Sequence, residues 1–270
     1  MNQCIPESIQ PLLEDYLQQL GQHLPDLIFS FYIVGSISLG EYNDHFSDID
    51  FITVLHRGLH SSEIRKLQGL HQTLKRKYPA QELSGSYFQT CDLGRLDGFL
   101  EPHPRYHDGR FDPHGPGKVN LVTWWELKHY GIPVVGDGPQ SLPFTVDWEL
   151  LLKSMKVNLN TYWRSWTTRP KRILILYSDW GIQWAVTGVL RQFYSFRENT
   201  LTTKIKAARY ALDHVPERWH PIIQEAINIR ENRDRSLYRF RTTRMLEAVR
   251  FLKYMIQTCN SSYSIRIHTP

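Results

Sequence analysis

Apolar residues recur at spacings of three and four through the opening segment. Ile9, Leu12, Leu13, Tyr16, Leu17 and Leu20 fall on one side of a helix from about Pro6 to Leu24. Pro25 and Asp26 end it. The pattern then becomes an unbroken run of β-branched and aromatic residues, LIFSFYIVG, which predicts a buried strand ending at Gly35-Ser36. A short polar segment leads to a second strand, Asp48 to Val54. Ser61 to Lys77 is helical again, and Leu83 to Thr90 predicts a third strand. From about Gly94 to Gly117 the periodicity dissolves among Gly, Pro, His and charged residues, which predicts a long loop of the functional kind. TWWELKHYG predicts a helix closed at Gly131, and IPVVGDGPQSLP an extended piece ending in a turn.

After Asp147 the character changes. Helical patterning covers Trp148 to Trp166, Arg172 to Tyr194, Thr203 to His214, Arg218 to Arg230 and Leu237 to Thr258, with a strand open only at the tail. The expected fold is mixed α/β (α+β). Residues 1–145 would form a small mixed sheet with flanking helices, and residues 146–270 an all-α bundle, with a ligand cleft between them.

Composition narrows the setting. Cys4, Cys91 and Cys259 are far apart and lack C-x-x-C spacing, so neither a disulfide framework nor a zinc site is expected, and a cytoplasmic location is. The start, MNQCIPESIQPLLEDYL, lacks the basic-then-apolar pattern of a secretory signal. No run approaches the roughly 18–20 apolar residues that span a bilayer. The net charge of +5 suits a polyphosphate ligand or nucleic acid, though many enzymes carry as much. The basic stretch from Arg230 to Arg244 has interleaved acids, which argues for a solvated face rather than a nucleic-acid surface. His103, His107 and His114, with Asp108 and Asp112 among them, match neither a helix face nor a zinc spacing, and read as a polar lid.

The chemistry concentrates in IVGSISLGEYNDHFSDIDFITVL. Residues two apart on a strand point to one side, so Asp48 and Asp50 present two carboxylates together. Such a pair repels itself unless a cation joins it, and oxygen-only ligands favour Mg²⁺ shared with substrate phosphates. Gly35-Ser36, just past the preceding strand, lets a phosphate approach the backbone and adds a hydroxyl donor. A bound triphosphate beside a metal pair is what nucleotidyl transfer requires.

This order of strand, Gly-Ser, about a dozen residues and Asp-x-Asp on a strand resembles the nucleotidyltransferase superfamily whose small sheet is like that of DNA polymerase β. Further stretches resemble the aminoglycoside 3″/9-adenylyltransferases: HYGIPVVGDGP between the domains, WAVTG at 184–188, Thr203-Lys204, and AARYALDHVPERWHPIIQEA. The resemblance implies that Asp48 and Asp50 are catalytic and hold Mg²⁺, and that Gly35, Ser36, Ser47 and Lys204 bind the nucleotide. ATP would adenylylate a hydroxyl of a small molecule, an aminoglycoside antibiotic first among them, with release of pyrophosphate. A monomer or weak dimer is expected.

Two departures accompany the likeness. Relatives carry an acid immediately after the leucine of the third strand, where this chain has Ser84. Glu82, two residues earlier, shares that face on a regular strand and is the expected general base, with Asp92 a weaker choice. Catalysis by metal and positioning alone, a nucleotide-binding module without turnover, and transfer to a protein or RNA partner are the alternatives. In the helical domain, Arg230 stands where relatives have an aromatic, and the acids that read aminoglycoside ammonium groups have no clear counterpart.

Overall fold

The computed structural model describes residues 4–44, 47–96, 99–116, 119–233 and 236–267, with side chains as far as Ser261. It comprises two compact units, Met1–Asp147 and Trp148–Pro270.

In the first unit the opening helix is α1 (Gln10–His23), entered through a 3₁₀ turn at Glu7–Ile9. Strand β1 (Ile28–Ile33) is followed by a single helical turn, α2 (Gly35–Ser38), then β2 (Ile49–Leu55), α3 (Ser61–Lys77) and β3 (Leu83–Gln89). The chain continues through β4 (His103–His107), β5 (Arg110–Gly115), α4 (Leu121–Tyr130) and β6 (Ile132–Val135). The strands form one sheet in the order β5-β4-β3-β2-β1-β6. Among the described residues only β2 and β3 are parallel neighbours, and α3 makes the crossover that parallel pairing demands. The other pairs are antiparallel.

Period-two alternation sorts the strand side chains onto two faces. On one, Phe31, Phe51, Leu83 and Tyr87 pack with Leu12, Tyr16, Leu67 and Leu74 of α1 and α3. On the other, Tyr32, Ile52, Val54 and Phe88 pack with Trp124 and Leu127 of α4. Fully burying each such side chain is worth roughly 1.5–3 kcal/mol. Asp50 belongs by alternation to the second face, with Ile52 and Val54.

The segment expected to be a long loop contains the β4–β5 hairpin instead. Asp108 and Gly109 both adopt positive φ, 49° and 66°, the requirement of a two-residue hairpin turn with the right twist. Polar strands fit there because β5 is the sheet's edge, where charged residues and Pro113 leave the ladder unharmed.

The second unit is helical: α5 (Trp148–Asn158) running into a π-helical turn at Leu159–Trp163, then α6 (Pro170–Ile175), α7 (Asp179–Glu198), α8 (Lys204–Leu212), α9 (His220–Arg230) and α10 (Arg241–Ile267). The pattern from Arg172 to Tyr194 is two helices, because Ser178 caps α7 by accepting from the Gly181 N–H at 3.0 Å. The tail is helical, not a strand. Helix α7 carries the core, with Ile182, Val186, Val189, Leu190 and Phe193 buried. Arg244, 3% exposed, joins α10 to Glu225 of α9 at 2.9 Å and to Asp179 of α7 at 2.6 Å. Among the described residues no helix is long and apolar enough to cross a membrane.

Candidate active site

Strand β1 ends at Ile33, and Val34 prolongs its pairing by donating to the Asp50 carbonyl at 2.9 Å. The chain then turns at Gly35, whose φ is +71°. A Cβ at Gly35 would sit 2.1 Å from Asp50 Oδ2, so glycine is what lets the carboxylate lie against the backbone. The Gly35 N–H donates to Glu126 Oε1 of α4 at 2.5 Å. Glu126 therefore meets the motif from 91 residues away in the chain, a contact that no local pattern signals.

Ser36 lies in the α2 turn, where its carbonyl accepts from the Glu41 N–H at 2.9 Å. Ser47 closes the approach to the aspartates: its N–H donates to the Asn43 carbonyl and its hydroxyl accepts from the Asn43 N–H. Asp48 is exposed just ahead of β2, and Asp50 lies within it, half-buried. Burial first, then the charges of Asp44 and Asp48, push the Tyr42 hydroxyl up to about 12. The described residues hold no cluster of three or more His, Cys, Asp or Glu arranged for a metal. Asp48 and Asp50 offer two hard oxygen donors, a set that fits Mg²⁺ whose other positions go to water and phosphate.

The parallel register places Ser84 of β3 directly beside Asp50. Ser84 is buried, and its hydroxyl shares a 2.9 Å hydrogen bond with His107 Nδ1. His107 arrives on β4, whose pairing of Gly85 with Tyr106 sets the next residue level with Ser84. The His107 Nε2 lies 3.6 Å from Asp108 Oδ2.

Glu82 precedes β3, its carbonyl accepting from the Ile49 N–H at 2.7 Å. It is exposed and lines a small pocket with Leu12, His71, Lys75 and Tyr106. Burial, then the Glu82 charge, raises the Tyr106 hydroxyl. Asp92 is buried and accepts from the Gln89 N–H at 2.9 Å, which caps a 3₁₀ turn.

Residues 179–258 match the protein family described as "Aminoglycoside adenylyltransferase, C-terminal domain". That stretch of the chain is similar to this domain. The fold of the chain is similar to that of the spectinomycin adenyltransferase AAD(9) from Enterococcus faecialis, whose crystal structure was determined with ATP and spectinomycin. The TM-score is 0.67 at 11% identity, over 92% of this chain and 98% of that one, a likeness of fold. No curated protein matches the sequence.

Within the matched stretch, Thr203 caps α8, its hydroxyl accepting from the Lys206 N–H at 3.3 Å. Lys204 is the helix's first residue, and its Nζ lies 4.8 Å from the centre of the Trp184 ring. Trp184 stacks on Trp180 at 5.5 Å and donates its Nε1–H to the Tyr162 hydroxyl at 2.9 Å. Arg230 donates to Gln183 Oε1 at 3.0 Å.

Proposed function

We propose that this adenylyltransferase-like chain transfers the AMP moiety of ATP to a hydroxyl of a small acceptor, an aminoglycoside or related aminocyclitol, and releases pyrophosphate. The observation that carries this reading is the fit between Gly35 and Asp50: the glycine of the Gly-Ser turn is in contact with the second aspartate of Asp-x-Asp. The C-terminal domain match points to the same family of reactions.

Asp48 and Asp50 hold Mg²⁺ in this reading. The ion would supply charge neutralisation at the triphosphate and the departing pyrophosphate. Gly35, Ser36 and Ser47 offer backbone and hydroxyl donors to phosphate oxygens, and Lys204 offers an ammonium. Glu82 is the sequence's candidate for taking the acceptor's proton. A cytoplasmic setting, which supplies ATP, agrees with three cysteines spaced for neither a disulfide framework nor a zinc site.

The test is pyrophosphate release from Mg²⁺-ATP with a panel of aminoglycosides, spectinomycin included. Release with one acceptor, lost in Asp48→Ala, supports the reading and names the substrate. Nucleotide binding without release under any acceptor supports a second reading, a nucleotide-binding module, which Ser84 motivates because a lone serine is no base near neutral pH. Absence of nucleotide binding overturns both.

A further inference from the structure

A hydroxyl that attacks phosphorus must lose its proton, and a group beside the metal-binding pair has to receive it. The sheet brings three polar side chains into one row across neighbouring strands. Asp50 of β2 is paired with Ser84 of β3, and His107 of β4 is hydrogen-bonded to Ser84. Ser84 is 9% exposed, so its hydroxyl is held in one surrounding, whereas the His107 side chain is 54% exposed and can exchange a proton with water. Asp108 Oδ2 lies 3.6 Å from Nε2, and the tautomer with its hydrogen on Nε2 leaves Nδ1 as the acceptor facing Ser84. Glu82 stands differently: it precedes the strand and lines a pocket with residues of α1 and α3.

We propose that Ser84 and His107 act as a dyad that takes the acceptor's proton, an inference that rests on the adenylyl-transfer reading above. As the acceptor oxygen bonds to the α-phosphorus, its proton passes to Ser84 Oγ and the Ser84 proton passes to His107 Nδ1. The bond from the α-phosphorus to the bridging oxygen breaks, and pyrophosphate leaves with that electron pair. The imidazolium then formed is stabilised by Asp108 and returns its proton to solvent. Ser84 is the catalytic residue that meets the acceptor, and His107 acts through it. A carboxylate at position 84 would perform both tasks, so this serine and histidine together replace a single acid.

The experiment measures pyrophosphate release with Mg²⁺-ATP and spectinomycin in wild-type protein, Ser84→Ala, His107→Ala and the double variant Ser84→Glu/His107→Ala. The expected result is a fall in kcat of about 10²-fold or more in Ser84→Ala and in His107→Ala, the range of general-base loss. KM for ATP is expected to be unchanged, and the double variant faster than His107→Ala alone. Full activity in His107→Ala, or no rescue by the glutamate, overturns the dyad while leaving the transferase intact. No release from wild-type protein overturns the transfer reading with this acceptor and the dyad with it. The pair is also read without substrate, by ¹⁵N NMR of the imidazole. In the neutral ring an unprotonated Nδ1 is expected, and a protonated Nδ1 there overturns the proposal.

Discussion

Two histidines of the first unit show how differently the two faces of one sheet treat the same side chain. His71, on α3, is 1% exposed, stacks on Tyr106 at 4.0 Å and shares a 2.7 Å hydrogen bond with the Tyr87 hydroxyl. Burial pushes its pKa down to about 3, so it stays neutral and serves as packing. His107 sits at the end of an edge hairpin, half in water, with a buried serine on one nitrogen and a carboxylate near the other. The comparison teaches that a histidine's chemistry follows from which face of the sheet it meets and how much solvent reaches it.

The largest effect expected is at the glycine of the polar side. Gly35→Ala would drive a Cβ into Asp50 Oδ2 and force a strained φ, so ATP-dependent pyrophosphate release should fall by about 10²-fold or more. The strain would cost about 1–3 kcal/mol, read by urea unfolding. Gly85 is the counterpart on the apolar side, where an added Cβ would meet the Phe51 carbonyl at 2.2 Å and its ring at 2.6 Å. Gly85→Ala should lower stability by about 1–3 kcal/mol through overpacking, and unfolding curves measure it directly. Equal loss of activity per unit of stability in the two variants would erase the distinction between the faces.

Acid sharpens the contrast further. The folded-state pKa of His71 lies below its ordinary value of 6.5, so the unfolded chain binds the extra proton first. Stability from this group is present above about pH 6.5 and is lost as pH falls toward about 3, with a slope of at most ~1.4 kcal/mol per pH unit. His71→Phe should flatten that slope in urea titrations across the same range. The smallest effect expected is Lys204→Ala, a rise in KM for ATP of about tenfold, the loss of one ammonium–phosphate contact. An unchanged KM would remove Lys204 from the nucleotide site.

Much of this was legible in the chain. The apolar run before Gly35 and the alternation after Asp48 are tertiary-independent signals, because a strand buried on one or both faces must show them. Gly35 and Asp50, two parts of the motif read from the sequence, lie against each other. The hairpin from His103 to Gly115 carries little strand pattern because an edge strand needs few apolar residues, although Asp108-Gly109 is a strong hairpin signal. Ser84 with His107 was not legible at all. Their partnership depends on β3 and β4 pairing across 23 residues, and Glu126 reaches Gly35 from farther still. Local spacing carries no trace of such meetings.

The pairing of β3 with β4 makes the identity of Ser84's neighbour a matter of counting. Gly85 stands opposite Tyr106, which puts His107 level with Ser84. One residue gained or lost within β4 would slide the ladder by a single step, send the imidazole to the opposite side of the sheet and bring Tyr106 or Asp108 into its place. Lys75 of α3, which donates to the Gly109 carbonyl at 3.4 Å, helps hold the hairpin at its present setting. Insertions and deletions here are therefore a sharper evolutionary dial than point substitutions: the same letters, moved by one position, would spell a different proton pathway.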